Sequence, residues 1–303
     1  MGTKLICGSI FDRFRWISSY KYPEHPSLLL IDKKMQKFYQ EDIIGQEYHR
    51  YFEKINLSWD NFPIHQAVIE MIRPRDIVVE FSCGSGHAFN HFIKTACNYY
   101  GFDLSIGELA KTKRNVNHIN LAVGNAYHTP FATSSADVAI SLYSLEHTIW
   151  PNRYLDEMIR ITRNGGYLAL AFPEYISNKK EINFMASMIF GKYPGRIKDK
   201  IKKGHWFDAL ITYIERYIIY RYLIYRVKRK IYKRNMIVFL INTAPLCLVT
   251  KYTTDNDAVY FSNEEEVARY ITLKKCKIIK RSGDIQDAPE GDALIIAQVI
   301  KND

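Results

Sequence analysis

Paired cysteines are missing from this chain of 303 residues. Its five cysteines are far apart and form no CxxC pair: Cys7, Cys83, Cys97, Cys247 and Cys276. This spacing argues against a zinc site and a disulfide framework, and it predicts a reducing, cytoplasmic compartment. The N-terminal stretch has no apolar core of the signal-peptide type, and Ile6 stands where a myristoylation site would have Ser or Thr.

Net charge is also missing from most of the chain. The formal charge of +10 is carried by residues 196–234, where thirteen Lys and Arg stand against three acids. Basicity therefore belongs to one segment and not to the whole protein. Apolar residues make up 47% of the chain, which is enough for a large core and argues against disorder on a large scale.

Strand-like and helix-like stretches alternate between residues 74 and 173. Five apolar stretches predict strands; a helix is expected from His87 to about Ala96, another begins at Ser105 as its N-cap, and a third ends at Gly165 in "NGG". Strands that alternate with helices at this spacing predict an α/β fold, in which helices cover both faces of a parallel sheet.

The pattern divides the chain into four parts. Residues 1–73 are predicted to form an N-terminal helical cap region, and residues 74–173 the core. Residues 174–256 form a helical insertion rich in Tyr, Ile, Lys and Arg, and residues 257–303 complete the core sheet. The last part opens with a predicted capping box, "SNEE", in which Ser262 pairs with Glu265, and continues with two strands.

A glycine turn follows the first strand of the core in "VVEFSCGSGHAF", residues 78–89. Gly84 and Gly86 allow a ligand to approach the backbone closely, but Phe89 stands where a dinucleotide-binding turn would have its third glycine. The acid Glu80 would also sit awkwardly beside a pyrophosphate. It suits a ligand that carries an amino group and a sulfonium.

Polar residues follow the next three strands at the same edge of the predicted sheet. Asp103 ends the second strand, where an acid can bind two ribose hydroxyls, and Asn125 with Ala126 follows the third, where an amide can reach an adenine edge. "SLYSLEH", which ends at His147, follows the fourth strand. Ligands bind at this edge of open α/β sheets.

With these motifs, the chain resembles the class I S-adenosylmethionine-dependent methyltransferases that act on small molecules and lipid quinones. The resemblance runs from about Asp76 to Pro173, through "VVEFSCGSG", "GFDLS", "GNAYHTPF" and "LEH", and resumes at "VYFSNEEEVARYITLKKCKII". It implies a Rossmann-like sheet of seven mostly parallel strands with an antiparallel last strand, and a helical lid insertion.

The resemblance also implies a cofactor, S-adenosylmethionine, with S-adenosylhomocysteine as product. Ser82 replaces a Gly that is usual in the family, and Asn125 replaces a usual Asp. The residues expected to bind the cofactor are Glu80, Ser82, Cys83, Gly84, Gly86, Asp103, Leu104, Asn125, Ala126 and Leu142.

His147 is the candidate general base, because an imidazole can take a proton from an acceptor hydroxyl near neutral pH. The alternative is a structural role in which His147 only holds its loop. His205, His49 and Tyr143 are weaker candidates, and methyl transfer can also proceed by positioning without any base.

The insertion is expected to select the acceptor, and its basic, aromatic segment has three interpretations. From Tyr217 to Val227 every residue except Arg221 is apolar or aromatic, too short a run to span a bilayer. The segment is a buried helix, a shallow contact with an anionic membrane in which "MIVFLI" (residues 236–241) also takes part, or a nucleic-acid surface.

The function predicted is methylation of an oxygen in a small-molecule, saccharide or lipid-linked intermediate. The alternatives are an RNA (tRNA) methyltransferase that uses the basic insertion and a non-catalytic subunit that binds S-adenosylmethionine. The expected location is cytoplasmic, with peripheral attachment to an anionic membrane surface as the open question.

Overall fold

A computed structural model describes most of the chain, in seven ranges: residues 14–16, 26–40, 62–86, 88–115, 119–190, 197–248 and 256–301. Four residues discussed above lie outside the described residues: Ile6, Cys7, His49 and His87.

A seven-stranded sheet forms the centre of the molecule, in the order β4-β3-β2-β5-β6-β9-β8. Two short strands, β1 and β7, form a separate two-stranded sheet. The strands are β1 (Phe14–Trp16), β2 (Ile77–Phe81), β3 (Asn98–Asp103), β4 (Asn120–Val123), β5 (Ala136–Leu142), β6 (Thr162–Pro173), β7 (Leu240–Asn242), β8 (Cys276–Arg281) and β9 (Asp292–Val299).

Strand direction follows the prediction. β2 pairs in parallel with β3 and β5, with Glu80 opposite Gly101 on one side and Ile140 on the other. β9 is antiparallel to both of its neighbours, β6 and β8. The Rossmann-like sheet with one antiparallel strand, the last in the chain, is therefore confirmed.

Helices cover both faces of the sheet because alternate strand residues point to opposite sides. Val79 and Phe81 pack into the core on one face, with residues of α1, α5 and α10, whereas Val78 packs on the other, with α2 and α3. The helices are α1 (Pro26–Gln40), α2 (Pro63–Glu70), α3 (Phe89–Phe92), α4 (Ile106–Asn115), α5 (Pro151–Ile161), α6 (Lys179–Phe190), α7 (Ile197–Lys202), α8 (Trp206–Ile214), α9 (Tyr220–Lys228) and α10 (Glu264–Leu273).

Two helix ends differ from the prediction. The helix after the glycine turn is only one turn long, and a 3₁₀ turn that ends at Ala96 in a left-handed conformation follows it. α5 ends at Ile161, so Gly165 lies inside β6 and does not end the helix. A Cβ on the next residue, Gly166, would meet the Asp137 carbonyl oxygen at 2.7 Å. Glycine is therefore required here because the backbone of β6 passes close to that of β5.

The predicted capping box is wrong by one residue. Asn263, not Ser262, is the N-cap of α10, and its side-chain oxygen accepts a hydrogen bond from the Glu266 N–H at 3.1 Å. The Ser262 hydroxyl instead donates to the Pro173 carbonyl oxygen. The Asn263 amide also donates to Glu174 at 2.9 Å, which joins α10 to the end of β6.

The insertion contains a continuous helix, residues 206–233, in which α8 and α9 are each followed by a π-helical turn. Tyr220, Leu223, Ile224, Val227 and Ile231 are buried there in a second hydrophobic core, formed mostly by residues of the insertion. The interpretation as a buried helix is thus correct for one face of its second half.

The segment "MIVFLI" is not a surface contact. Residues 237–241 are buried, and Leu240 and Ile241 belong to β7, which pairs with β1, so the predicted part of this segment in a membrane contact is wrong. Among the described residues, no helix has both the length and the hydropathy needed to cross a membrane.

Replacement of the observed cap is expected to destabilise the protein. Asn263→Ala removes an N-cap, worth about 1 kcal/mol, and a hydrogen bond to the carboxylate of Glu174, so we expect the free energy of unfolding to fall by about 2 kcal/mol. Urea denaturation measures it.

Glu265→Ala is the matched control, because Glu265 makes only partly exposed ion pairs with Arg269 and Arg281. Such pairs contribute about 0–1 kcal/mol. A loss for Glu265→Ala as large as that for Asn263→Ala would contradict the assignment of the cap.

Candidate functional site

A cavity of about 220 Å³ opens at the carboxyl ends of β2, β3, β4 and β5. Parallel strands leave this edge open because the connections to the following helices diverge there. Ten of the eleven predicted site residues line the cavity: Glu80, Ser82, Cys83, Gly84, Asp103, Leu104, Asn125, Ala126, Leu142 and His147. Gly86 is not among the lining residues.

The glycine turn after β2 is built on left-handed backbone. Ser82, Gly84 and Gly86 have φ of 53°, 53° and 68°, and the Gly86 N–H closes the turn on the Cys83 carbonyl at 2.8 Å. Glycine adopts this conformation without steric cost, whereas Ser82 does so at some cost. Gly86 therefore shapes the turn from outside the cavity.

Asp103 holds the turn against the end of β3. Its Oδ2 accepts a hydrogen bond from the Gly84 N–H at 2.9 Å, and its Oδ1 accepts one from the Ser105 N–H at 2.8 Å. Burial raises the pKa of Asp103, and the two backbone N–H groups oppose that shift because they favour the carboxylate. Ser105 in turn caps α4, as predicted, by accepting from the Glu108 N–H.

Glu80 is buried beneath the turn. The Tyr99 hydroxyl donates a hydrogen bond to its Oε2 at 2.5 Å. Burial raises the pKa of Glu80 to about 8, although the hydrogen bond from Tyr99 lowers it, and the nearby charge of Asp103 adds to the increase. Glu80 is thus protonated at neutral pH in the absence of a cationic partner.

Asn125 stands where β4 leads into the next loop. Its Oδ1 accepts a hydrogen bond from the Tyr127 N–H at 2.9 Å, and this contact stabilises a local turn of the backbone. The side-chain oxygen is therefore engaged by the backbone, and contact with a ligand falls to the amide nitrogen.

His147 lies on a 3₁₀ turn after β5 and faces two acids. Its Nδ1 is 3.4 Å from Asp257 Oδ2, and its Nε2 is 3.7 Å from Glu146 Oε1. The Tyr39 hydroxyl donates to the same Asp257 oxygen at 2.8 Å. Asp257 is fully buried, so the three side chains form a compact polar group on one wall of the cavity.

Sequence reasoning missed Asp257 and Tyr39. Asp257 directly follows the insertion in the sequence, Tyr39 lies on α1, and His147 follows β5. No motif joins residues so far apart along the chain. Asp32 of α1 and Glu108 of α4 were missed for the same reason, and both line the cavity.

The lining of the cavity is acidic. Five carboxyl groups face it and no Lys or Arg does among its described lining residues: Asp32, Glu80, Asp103, Glu108 and Asp257. Such a wall attracts a cationic ligand and disfavours phosphate groups. Within the described ranges, no cluster of His, Cys, Asp or Glu is suited to a metal ion.

The site coincides with a known domain type. Residues 79–170 match the family model described as a methyltransferase domain. They are a methyltransferase domain. This match confirms, for these residues, the resemblance to methyltransferases stated above.

Two curated relatives, both named as methyltransferases, are similar to about 30% of the chain. A demethylmenaquinone methyltransferase from Paenarthrobacter aurescens is 30% identical over 94 residues, 31% of this chain and 37% of the relative. A phthiotriol/phenolphthiotriol dimycocerosates methyltransferase from Mycobacterium ulcerans is 30% identical over 95 residues, 30% of this chain and 35% of the relative. The chain thus spans little more than a third of the length of these relatives.

Solved structures of S-adenosylmethionine-dependent methyltransferases share the fold. One from Thermotoga maritima superposes with a TM-score of 0.51 at 13% identity, covering 87% of this chain and 99% of its own. One from Mesorhizobium loti has a TM-score of 0.50 at 13% identity, covering 80% of this chain and all of its own. The domain type implies S-adenosylmethionine as cofactor, and its two positive charges fit the acidic lining.

The raised pKa of Glu80 predicts a pH-dependent stability. The folded pKa of about 8 lies above the ordinary glutamate pKa of 4.5, so the stability from neutral Glu80 is fully present below pH 4.5 and lost as the pH rises through 8. Relative to Glu80→Gln, which can still accept from Tyr99, the wild-type Tm is expected to fall between about pH 5 and pH 9.

Thermal denaturation of the two proteins across this range measures the difference. Asp292 and Glu266 also have raised pKa values, about 6 and about 7, but they titrate in both proteins and cancel in the comparison. Parallel Tm curves would show that Glu80 is ionised in the fold.

Proposed function

We propose that the protein transfers a methyl group from S-adenosylmethionine to an oxygen atom of a small-molecule, saccharide or lipid-linked acceptor. The acidic cavity at the edge of the methyltransferase domain is the observation that carries this proposal. It combines a glycine turn, buried carboxyl groups for a cationic ligand, and a His–Asp pair beside them.

In this proposal the cofactor lies between the glycine turn and β4. Asp103 would accept hydrogen bonds from the ribose hydroxyls, and the Asn125 amide would contact the adenine. Glu80 would become ionised and stabilise the positive charge of the amino acid end. Two residues, Leu104 and Leu142, supply apolar surface in the same cavity.

His147 would act as the general base. When bound, S-adenosylmethionine supplies an electrophilic methyl group and leaves as S-adenosylhomocysteine. The acceptor hydroxyl would give its proton to a ring nitrogen of His147 as its oxygen forms the bond to the methyl carbon. Asp257, 3.4 Å from Nδ1, would orient the ring and stabilise its positive charge as a positioning residue.

The acceptor class is inferred from the relatives and from the lining. The names of the two curated relatives give a quinone and a lipid as acceptors. The cavity here also has apolar lining on the side of α1 and the loop after β5, where Met35 and Ile149 lie. We further propose that the basic insertion attaches the protein to an anionic membrane surface, where a lipid-linked acceptor would be held.

Loss of the Asp103 carboxylate is expected to weaken cofactor binding. Asp103→Asn removes the charge that would accept from two hydroxyls, and at about 1.5–3 kcal/mol per charged hydrogen bond we expect the Kd for S-adenosylmethionine to rise about 100-fold. Isothermal titration calorimetry measures it. Asp208→Asn, an exposed acid of α8, is the control and should bind like wild type. Equal affinity of wild type and Asp103→Asn would sink the cofactor assignment.

Loss of His147 is expected to slow methyl transfer while cofactor binding is retained. With tritiated S-adenosylmethionine and an organic extract of the native host as acceptor pool, His147→Gln should lower the initial rate about 100-fold. Asp257→Asn should lower it about tenfold. His205→Gln is the control, since this exposed histidine is not among the cavity-lining residues. Full activity of His147→Gln would leave the histidine with only a structural role.

A further inference from the structure

The first half of the long insertion helix carries an exposed apolar surface, which we call the α8 face. Eight of the nineteen large apolar side chains that are exposed among the described residues belong to it: Trp206, Phe207, Leu210, Ile211, Tyr213, Ile214, Tyr217 and Ile218. Trp206 and Phe207 are 66% and 73% exposed. A concentration of this kind marks an interaction site.

The opposite side of the same helix is covered. Ala209 and Thr212 are buried, and Lys200 of α7 donates to the Thr212 hydroxyl at 2.7 Å. Farther along, α9 buries its aliphatic residues and Tyr220, whereas Tyr222 and Tyr225 are exposed. The α8 face therefore carries eight of the eleven large apolar side chains that are exposed on the long helix; the other three are Tyr222, Tyr225 and Tyr232.

Cationic side chains border this face. Lys198, Lys202 and Lys203 are exposed just before Trp206, and Arg216 lies over the ring of Tyr217 at 5.3 Å. Asp208 and Glu215 are the acids on this stretch of helix. The surface is thus apolar at its centre and positively charged at its rim.

The chemistry of the α8 face distinguishes among three kinds of binding partner: a second copy of the chain, a nucleic acid and a membrane. A second copy of the chain would bring one basic rim against another, which is unfavourable. A nucleic acid would leave Leu210, Ile211, Ile214 and Ile218 without apolar partners, because aliphatic side chains do not stack on bases. A bilayer with anionic lipids supplies an apolar interior for the centre and negative headgroups for the rim.

We infer that the α8 face, residues 206–218, inserts into the headgroup region of an anionic membrane and anchors the protein there. This inference deepens the membrane part of the proposed function and depends on it, but not on methyl transfer. It also moves the contact from the stretch expected from the sequence, residues 217–227, to the preceding turns of the helix.

Sedimentation with vesicles of phosphatidylcholine, alone or mixed with phosphatidylserine, tests the inference. The full chain should bind the mixed vesicles, and Phe207→Ser/Leu210→Ser should bind them at least tenfold more weakly. Leu273→Ser is the matched control, because Leu273 on α10 is 55% exposed and Leu210 is 54% exposed. This variant should bind as wild type does.

Fluorescence locates the contact. Trp206 is exposed and is one of four tryptophans in the chain, so mixed vesicles should shift the emission of the wild type to shorter wavelength and should shift that of Trp206→Phe distinctly less. An unchanged spectrum with bound vesicles would overturn the inference.

Three other outcomes would also overturn the inference. These are no preference for anionic vesicles, equal binding by Phe207→Ser/Leu210→Ser, and a dimer in light scattering that this variant abolishes. Calorimetry with S-adenosylmethionine on the same samples shows that each variant is folded, and it reports on the cofactor site separately. Failure of the membrane contact can therefore be told apart from failure of the methyltransferase assignment.

Discussion

The carboxylate of Asp103 accepts hydrogen bonds from the backbone N–H groups of Gly84 and Ser105, and the geometry of the cavity depends on this pair of contacts. They join the turn after β2 to the helix start after β3, so both carboxyl ends border one space. The contacts are possible because β2 and β3 are parallel neighbours, which brings residues distant in sequence to a common edge.

The same edge concentrates acids, and this has an energetic consequence. A buried carboxylate without a cation is costly, and the fold limits the cost with backbone N–H groups at Asp103 and with protonation at Glu80. A cationic cofactor would supply the missing charge. Under the proposed function, binding of the cofactor would therefore offset the cost of collecting these acids at one edge.

The two halves of the long insertion helix are similar in composition but differ in how far their side chains are buried. Apolar side chains lie on all sides of the long helix; most of those of α9 are covered by a second hydrophobic core, and most of those of α8 remain exposed. Basic residues accompany both halves, so charge does not separate them. The difference arises from neighbours such as Tyr175, Met185 and Phe261, which pack against the second half.

The sequence by itself determined the alternation of strands and helices in the core and the glycine turn, because strand period, turn chemistry and the acid after a strand are local signals, and the family resemblance added to these signals to give ten of the residues that line the cavity. Ser105 was found as a cap on the same ground, while Asn263 was missed because its neighbour Ser262 offers an equally good local signal. The tertiary structure alone decided that Asp257 and Tyr39 meet His147, since they come from separate parts of the chain. It also decided which side of the long helix is buried, because apolar residues around the whole circumference give the sequence no direction.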